Sequence, residues 1–219
     1  MTGLTLPPDS DAALLDFGMR VARVVAIVAC FGSALLLPAC RSKEEKPDVG
    51  RLLNEMRSSD AKLSGEARLK LLQLGEPAVP ALAEMLRSGS AADRVAAANT
   101  LWGMGERGRA AVPDLAATLV DPDAELRMAA AMALQNMGAS AAPATLELAA
   151  AIKDSDVRVR QAAAKALGAI GPPAAAALPT LTRVLRRGSW PEAEEAVRRI
   201  RGLQPGAPIE LGPAEPEGP

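Results

Sequence analysis

Apolar positions along residues 76–202 recur with helical spacing, in pairs of stripes separated by short polar breaks. Val79, Leu82 and Leu86 form one such stripe, and Val112, Leu115 and Leu119 repeat it 33 residues later. Spacing of this kind sets one face of an α-helix against a core. A polar break follows each first stripe, as in Asp121-Pro122-Asp123, and then a second stripe, as in Ala130, Leu134 and Met137. Asp121 suits the N-cap of the second helix, with Pro122 at its first position, and Gly138 suits its end. Each unit therefore predicts a helical hairpin.

The units align without gaps at a shift of 33 residues. Leu82, Leu115, Leu148 and Leu181 share one column, and Leu86, Leu119, Ile152 and Leu185 a second. Arg94, Arg127 and Arg160 form a third, Leu101, Leu134, Leu167 and Ile200 a fourth, and Gly105, Gly138 and Gly171 a fifth. A single hairpin cannot bury both of its helices, so successive units must stack. Residues 48–75 read as a degenerate first unit, with Ser64 as the cap of a helix ending in Leu-Leu-Gln-Leu-Gly. In the last unit Ser189 and Glu192 have the spacing of a capping box. Its second helix, Ala-Glu-Glu-Ala-Val-Arg-Arg-Ile-Arg, is more charged than its counterparts, as an end unit facing solvent should be.

Residues 154–171, Asp-Ser-Asp-Val-Arg-Val-Arg-Gln-Ala-Ala-Ala-Lys-Ala-Leu-Gly-Ala-Ile-Gly, resemble the second half of the HEAT motif in its short bacterial form, named after phycobilisome lyases. Pro80, Pro113 and Pro179 match the proline of the motif's first helix, while Leu146 replaces it in one unit. The resemblance implies an all-α fold, a right-handed α-solenoid of about five hairpins over residues 48–202. It also implies that the Arg column is a structural ladder tying neighbouring units together, with Asp121 and Asp154 facing it.

The N-terminal segment carries a different pattern. Residues 1–18 hold three Asp and no Lys or Arg, which does not fit the start of an export signal. From Met19 the chain has Arg20 and Arg23, then an apolar run from Val24 to Leu37. That run is shorter than the roughly 20 residues of a membrane-spanning helix. Residues 1–18 are accordingly expected to be an upstream extension, and residues 19–39 a signal peptide. Leu37-Pro38-Ala39-Cys40 resembles a bacterial lipobox, with Pro38 departing from the usual small or aliphatic residue. That resemblance implies a lipid anchor on Cys40 and residence in the bacterial cell envelope, at the outer membrane in a Gram-negative host. Residues 40–47 would be a solvated tether, and residues 203–219, rich in Pro, Gly and Glu, a disordered tail.

Composition narrows the chemistry. The chain has 25 Lys and Arg against 26 Asp and Glu, so no basic excess points to nucleic acid. It contains no His and no Tyr, and its two Cys, Cys30 and Cys40, both precede the repeats. The usual general bases, nucleophiles and transition-metal ligands are thus missing from the repeats, and neither catalysis, a metal nor a cofactor is expected. The Asp pairs 121/123 and 154/156 read as helix caps rather than metal ligands.

What remains is surface. With Ala97, Leu101 and Met104 buried, Val95, Asn99 and Trp102 face the other way at 100° per residue. The matching positions are Met128, Met132 and Gln135, then Gln161, Lys165 and Gly168, then Glu194, Arg198 and Arg201. Trp is favoured at binding hot spots and Met at adaptable surfaces. The sequence therefore predicts a protein- or peptide-binding patch around Trp102, Met128 and Met132, extending to Asn99, Gln135 and Lys165. The leading expectation is a non-catalytic interaction scaffold that binds a protein partner through its concave face. The alternatives are a bilin-lyase-like factor for chromophore attachment, and an anion or small-ligand binder using the Arg ladder.

Overall fold

The structure is a computed structural model that describes residues 48–212. Cys40 and the expected signal, tether and upstream segments lie outside the described residues. The described residues contain ten α-helices and no strand. They pair into five hairpins, α1 (Val49–Met56) with α2 (Ala61–Leu74), α3 (Val79–Ser88) with α4 (Ala91–Met104), and α5 (Val112–Thr118) with α6 (Ala124–Met137). The last two pair α7 (Thr145–Ala151) with α8 (Val157–Ile170), and α9 (Leu178–Arg187) with α10 (Pro191–Ile200).

The repeated columns become the core. Leu82, Leu115, Leu148 and Leu181 are fully enclosed, as are Leu101, Leu134 and Leu167. Ala97, Ala130, Ala163 and Ala196 are also buried, and so are Ala98, Ala131 and Ala164. Small side chains on two faces let the second helices from α4 to α10 pack closely on one another in succession. First helices touch one another far less. The layer with the closer spacing forms the inner side of the stack, so the second helices line that side.

Three local predictions are corrected. Asp123, not Asp121, caps α6, and its carboxylate accepts from the Glu125 amide at 2.9 Å. Asp156 does the same for α8. Pro122 consequently precedes the helix rather than opening it. Ser64 lies inside α2, which Asp60 caps, and its hydroxyl donates to the Met56 carbonyl at 2.8 Å. The capping box at Ser189 does not form: Ser189 donates to Glu194, and Trp190 stands at the N-cap of α10 without a side-chain cap bond.

The second helices end as expected at glycines, but the chain does not leave by a simple loop. Gly138 has φ 57° and ψ −134°, a conformation open to glycine and costly for other residues. A 3-10 segment follows over Gly138–Ala144, and Gly105–Ala111 and Pro172–Ala177 take the same place in their units. The first helices begin where these segments end, at the same repeat position in each unit, and α5 and α7 are only seven residues long because they end early, at Thr118 and Ala151. At the C-terminal end, Leu203 to Gly212, expected to be disordered, lies against the fifth hairpin. Arg198 donates to the Ala207 carbonyl, Arg201 to that of Glu210, and Arg186 to those of Leu211 and Gly212. Ile209 and Leu211 pack on the core beside these bonds. Apolar contact and carbonyl capture thus order a stretch whose composition is that of a loop.

Candidate functional site

The outward row of the second helices begins in α4. Asn99 is half-buried and Trp102 is 42% exposed, large for a residue of its apolar area. In α6, Met132 is 38% exposed, while Met128 and Gln135 are half-buried and Met128 packs partly on the core. In α8, Lys165 is exposed. Gly168, expected to face outward, is buried, because a Cβ there would lie 3.2 Å from Ala196 Cα of the next second helix. The row is therefore open over the second and third hairpins and interrupted at the fourth. Asn136 anchors its edge by donating to the Trp102 carbonyl at 2.6 Å.

A groove of about 490 Å³ lies beside this row. It is bounded by Ser64 and Arg68 of α2, by Val95 and Asn99 of α4, and by Asp123 and Glu125 at the start of α6. Three successive second helices thus build one depression, with apolar walls and charges of both signs at its rim.

A second groove, of about 550 Å³, opens between the third and fourth hairpins, and sequence reasoning missed it. Its walls include Val120, 82% exposed, and Leu146, 67% exposed, with Arg127 and Asp154 among its polar residues. The only available signal was Leu146 standing where the other units have proline.

The Arg column occupies the edge where first helices turn into second ones. Arg94 bonds Asp121 across to the next hairpin. Arg127 grips Asp154 with two parallel bonds, Nε to Oδ2 at 2.7 Å and Nη2 to Oδ1 at 2.8 Å. Its remaining Nη1 donates to the carbonyls of Asp121 and Pro122. The pair is nearly enclosed, with side chains 12% and 9% exposed. The Arg127 bond, opposed by partial burial, holds the Asp154 carboxyl below its ordinary range. Arg158 holds Asp156 lower still, at about 2. Arg160 behaves differently from its two counterparts. Its Nη1 donates to the carbonyls of Asp154 and Ser155 at 2.9 and 3.0 Å, but no carboxylate among the described residues pairs with it.

The described residues hold no cluster of His, Cys, Asp or Glu suited to a metal ion. The geometry offers apolar surface, grooves and fixed charges. The model of the HEAT repeats family matches residues 79–150 and 147–200, more than half of the chain. This chain is a HEAT-repeat protein. No curated protein sequence matches it. Among solved structures, the HEAT-repeat chain is similar to the complex of CpcE and CpcF of phycocyanin lyase from Nostoc, at 20% identity and a TM-score of 0.54, covering 70% of this chain and 97% of that one. A designed armadillo repeat protein superposes at 18% identity and a TM-score of 0.53, over 72% and 84% of the two chains. Another, solved with a (KR)4 peptide, superposes at 17% and 0.50, over 68% and 79%. At such identities the likeness is one of fold: an all-helical repeat solenoid.

Proposed function

We propose that this HEAT-repeat protein is a non-catalytic binding scaffold. Its inner face receives a segment of a protein partner, and Cys40 carries a lipid that anchors the scaffold in the bacterial cell envelope. The observation that carries the reading is the open row of Trp102 and Met132 on the second helices, next to a groove built by three of them. The repeat stack needs neither side chain exposed, since its core is complete without them. Repeat solenoids suit this work, because stacking yields a long continuous surface. The designed armadillo neighbour solved with a peptide is consistent with that use of the architecture. Two of the three ladder arginines are already engaged by Asp121 and Asp154, which favours a structural role for them over anion capture.

Trp102→Ala tests the inner-face reading. The variant should lose co-purification of the envelope partner while its helicity is unchanged, because Trp102 is no part of the buried core. Undiminished co-purification refutes the reading. The anchor is tested separately by labelling with a clickable palmitate analogue, which should mark the wild type and not Cys40→Ala.

A further inference from the structure

The ladder breaks at one rung, and the break leaves a prepared fork. In the rung before it, Arg127 Nη1 is held by the carbonyls of Asp121 and Pro122, and the Nε–Nη2 edge grips Asp154. Arg160 Nη1 is held by the carbonyls of Asp154 and Ser155, the same two positions one repeat later. Its guanidinium is therefore fixed in the same orientation. The partner position, 27 residues on in both intact rungs, is residue 187 here, and residue 187 is arginine. A second cation stands where the ladder requires a carboxylate.

The surroundings change in the same direction. Next to the intact rung, the groove between the third and fourth hairpins includes Asp121, Glu147 and Asp154 with Arg127 and Lys153. At the equivalent positions one repeat later, three carboxylates and two cations give way to one carboxylate, Asp154, and five cations: Lys153, Arg160, Arg183, Arg186 and Arg187. Of these, Lys153, Arg183 and Arg187 are exposed. An oriented guanidinium edge presents two parallel donors at the spacing of a carboxylate's oxygens.

We propose that the broken rung between the fourth and fifth hairpins is a binding site for an acidic segment of a partner protein. A Glu or Asp of that segment would supply to Arg160 the carboxylate that Asp154 supplies to Arg127, and Arg187 and Arg183 would hold its neighbours. The occupant is a peptide carboxylate, because both intact rungs pair their arginine with that group and Arg127 grips it through the same fork. Lys153 and Arg183 extend the positive field beyond the reach of one small anion. The site lies at the turn edge, away from Trp102, and does not depend on the inner-face reading.

The test uses the full-length protein and a fluorescein-labelled hexaglutamate peptide, followed by fluorescence anisotropy across a salt series. The wild type should bind, more weakly as salt rises. Arg160→Lys keeps the charge but removes the fork, and should weaken binding roughly tenfold or more. Arg187→Asp should complete the ladder, raising the midpoint of thermal unfolding while abolishing peptide binding. Binding unchanged in Arg160→Lys or in Arg187→Asp overturns the proposal. Saturable binding of inorganic phosphate without binding of the peptide overturns the choice of an acidic segment. Peptide binding seen only after Glu215→Gln and Glu217→Gln assigns the rung to the chain's own tail and overturns the choice of a partner.

Discussion

Replacing Asp154 by Ala removes the carboxylate that joins the third hairpin to the fourth. Two charge-assisted bonds to Arg127 are lost, at 2.7 and 2.8 Å, together with the bond that the same carboxylate accepts from the Asp156 amide at 2.8 Å. Bonds to charged groups contribute about 1.5–3 kcal/mol each, and breaking a buried ion pair costs about 3–5 kcal/mol. Two features lower the expectation here. Water reaches the edge of the pair, and Arg127 retains two backbone carbonyls as acceptors. The expected loss is about 2–3 kcal/mol. Urea unfolding followed by far-UV circular dichroism at neutral pH measures it. Asp154→Asn, whose amide oxygen can still accept from Asp156, should lose less; its own loss reports the ion pair, and its difference from Asp154→Ala reports the Asp156 amide bond. Because stability in a stacked array is partly the sum of its interfaces, the variant should also unfold less cooperatively. A loss below about 0.5 kcal/mol, the range of an ordinary surface pair, would refute the view that this rung joins the hairpins.

Three further outcomes follow from the same packing. The Asp154 carboxyl is depressed in the folded state, so its contribution is present above the ordinary carboxylate range and is lost as pH falls through its folded value; urea midpoints should drop steeply below about pH 4, and less so in Asp154→Asn. Leu134→Ala should cost about 2–5 kcal/mol in the same unfolding assay, since Leu134 is fully enclosed in the middle of the stack. Gly138→Ala should cost about 1–3 kcal/mol through backbone strain, because the nearest atom to an added Cβ is the Ala169 carbonyl oxygen at an ordinary 3.8 Å and the conformation is what an L residue resists.

Much of the fold was legible because it is written repeatedly. A column such as Leu82, Leu115, Leu148 and Leu181 marks the core by recurrence, without any need to weigh helix propensity. The broken rung was equally legible, as an Arg at position 187 in the Asp column, although its meaning required the bonds of Arg127 and Arg160. Local choices were harder. In Asp-Pro-Asp both acids suit an N-cap, and spacing does not say which one caps the helix. The assignment falls to Asp123 because Asp121 is drawn across to Arg94 and also accepts from the Asp123 amide. The 3-10 segments after each glycine leave no apolar period of their own to read. Composition also hid the order of Leu203 to Gly212, where two apolar side chains and three arginine-to-carbonyl contacts outweigh Pro and Gly content. The outward row followed from helix geometry, except at Gly168, where close approach of α10 was invisible before the stack was built.

The most direct test of the account places a photo-crosslinking amino acid at Asn99, Met132 or Lys165 on the second helices, and at Ala117 or Leu146 on the first, in the cells that make the protein. A discrete adduct from the inner positions, absent from the outer ones and lost on Trp102→Ala, is the predicted result. Adducts of equal yield from both layers, or from the first helices alone, would contradict binding through the inner face.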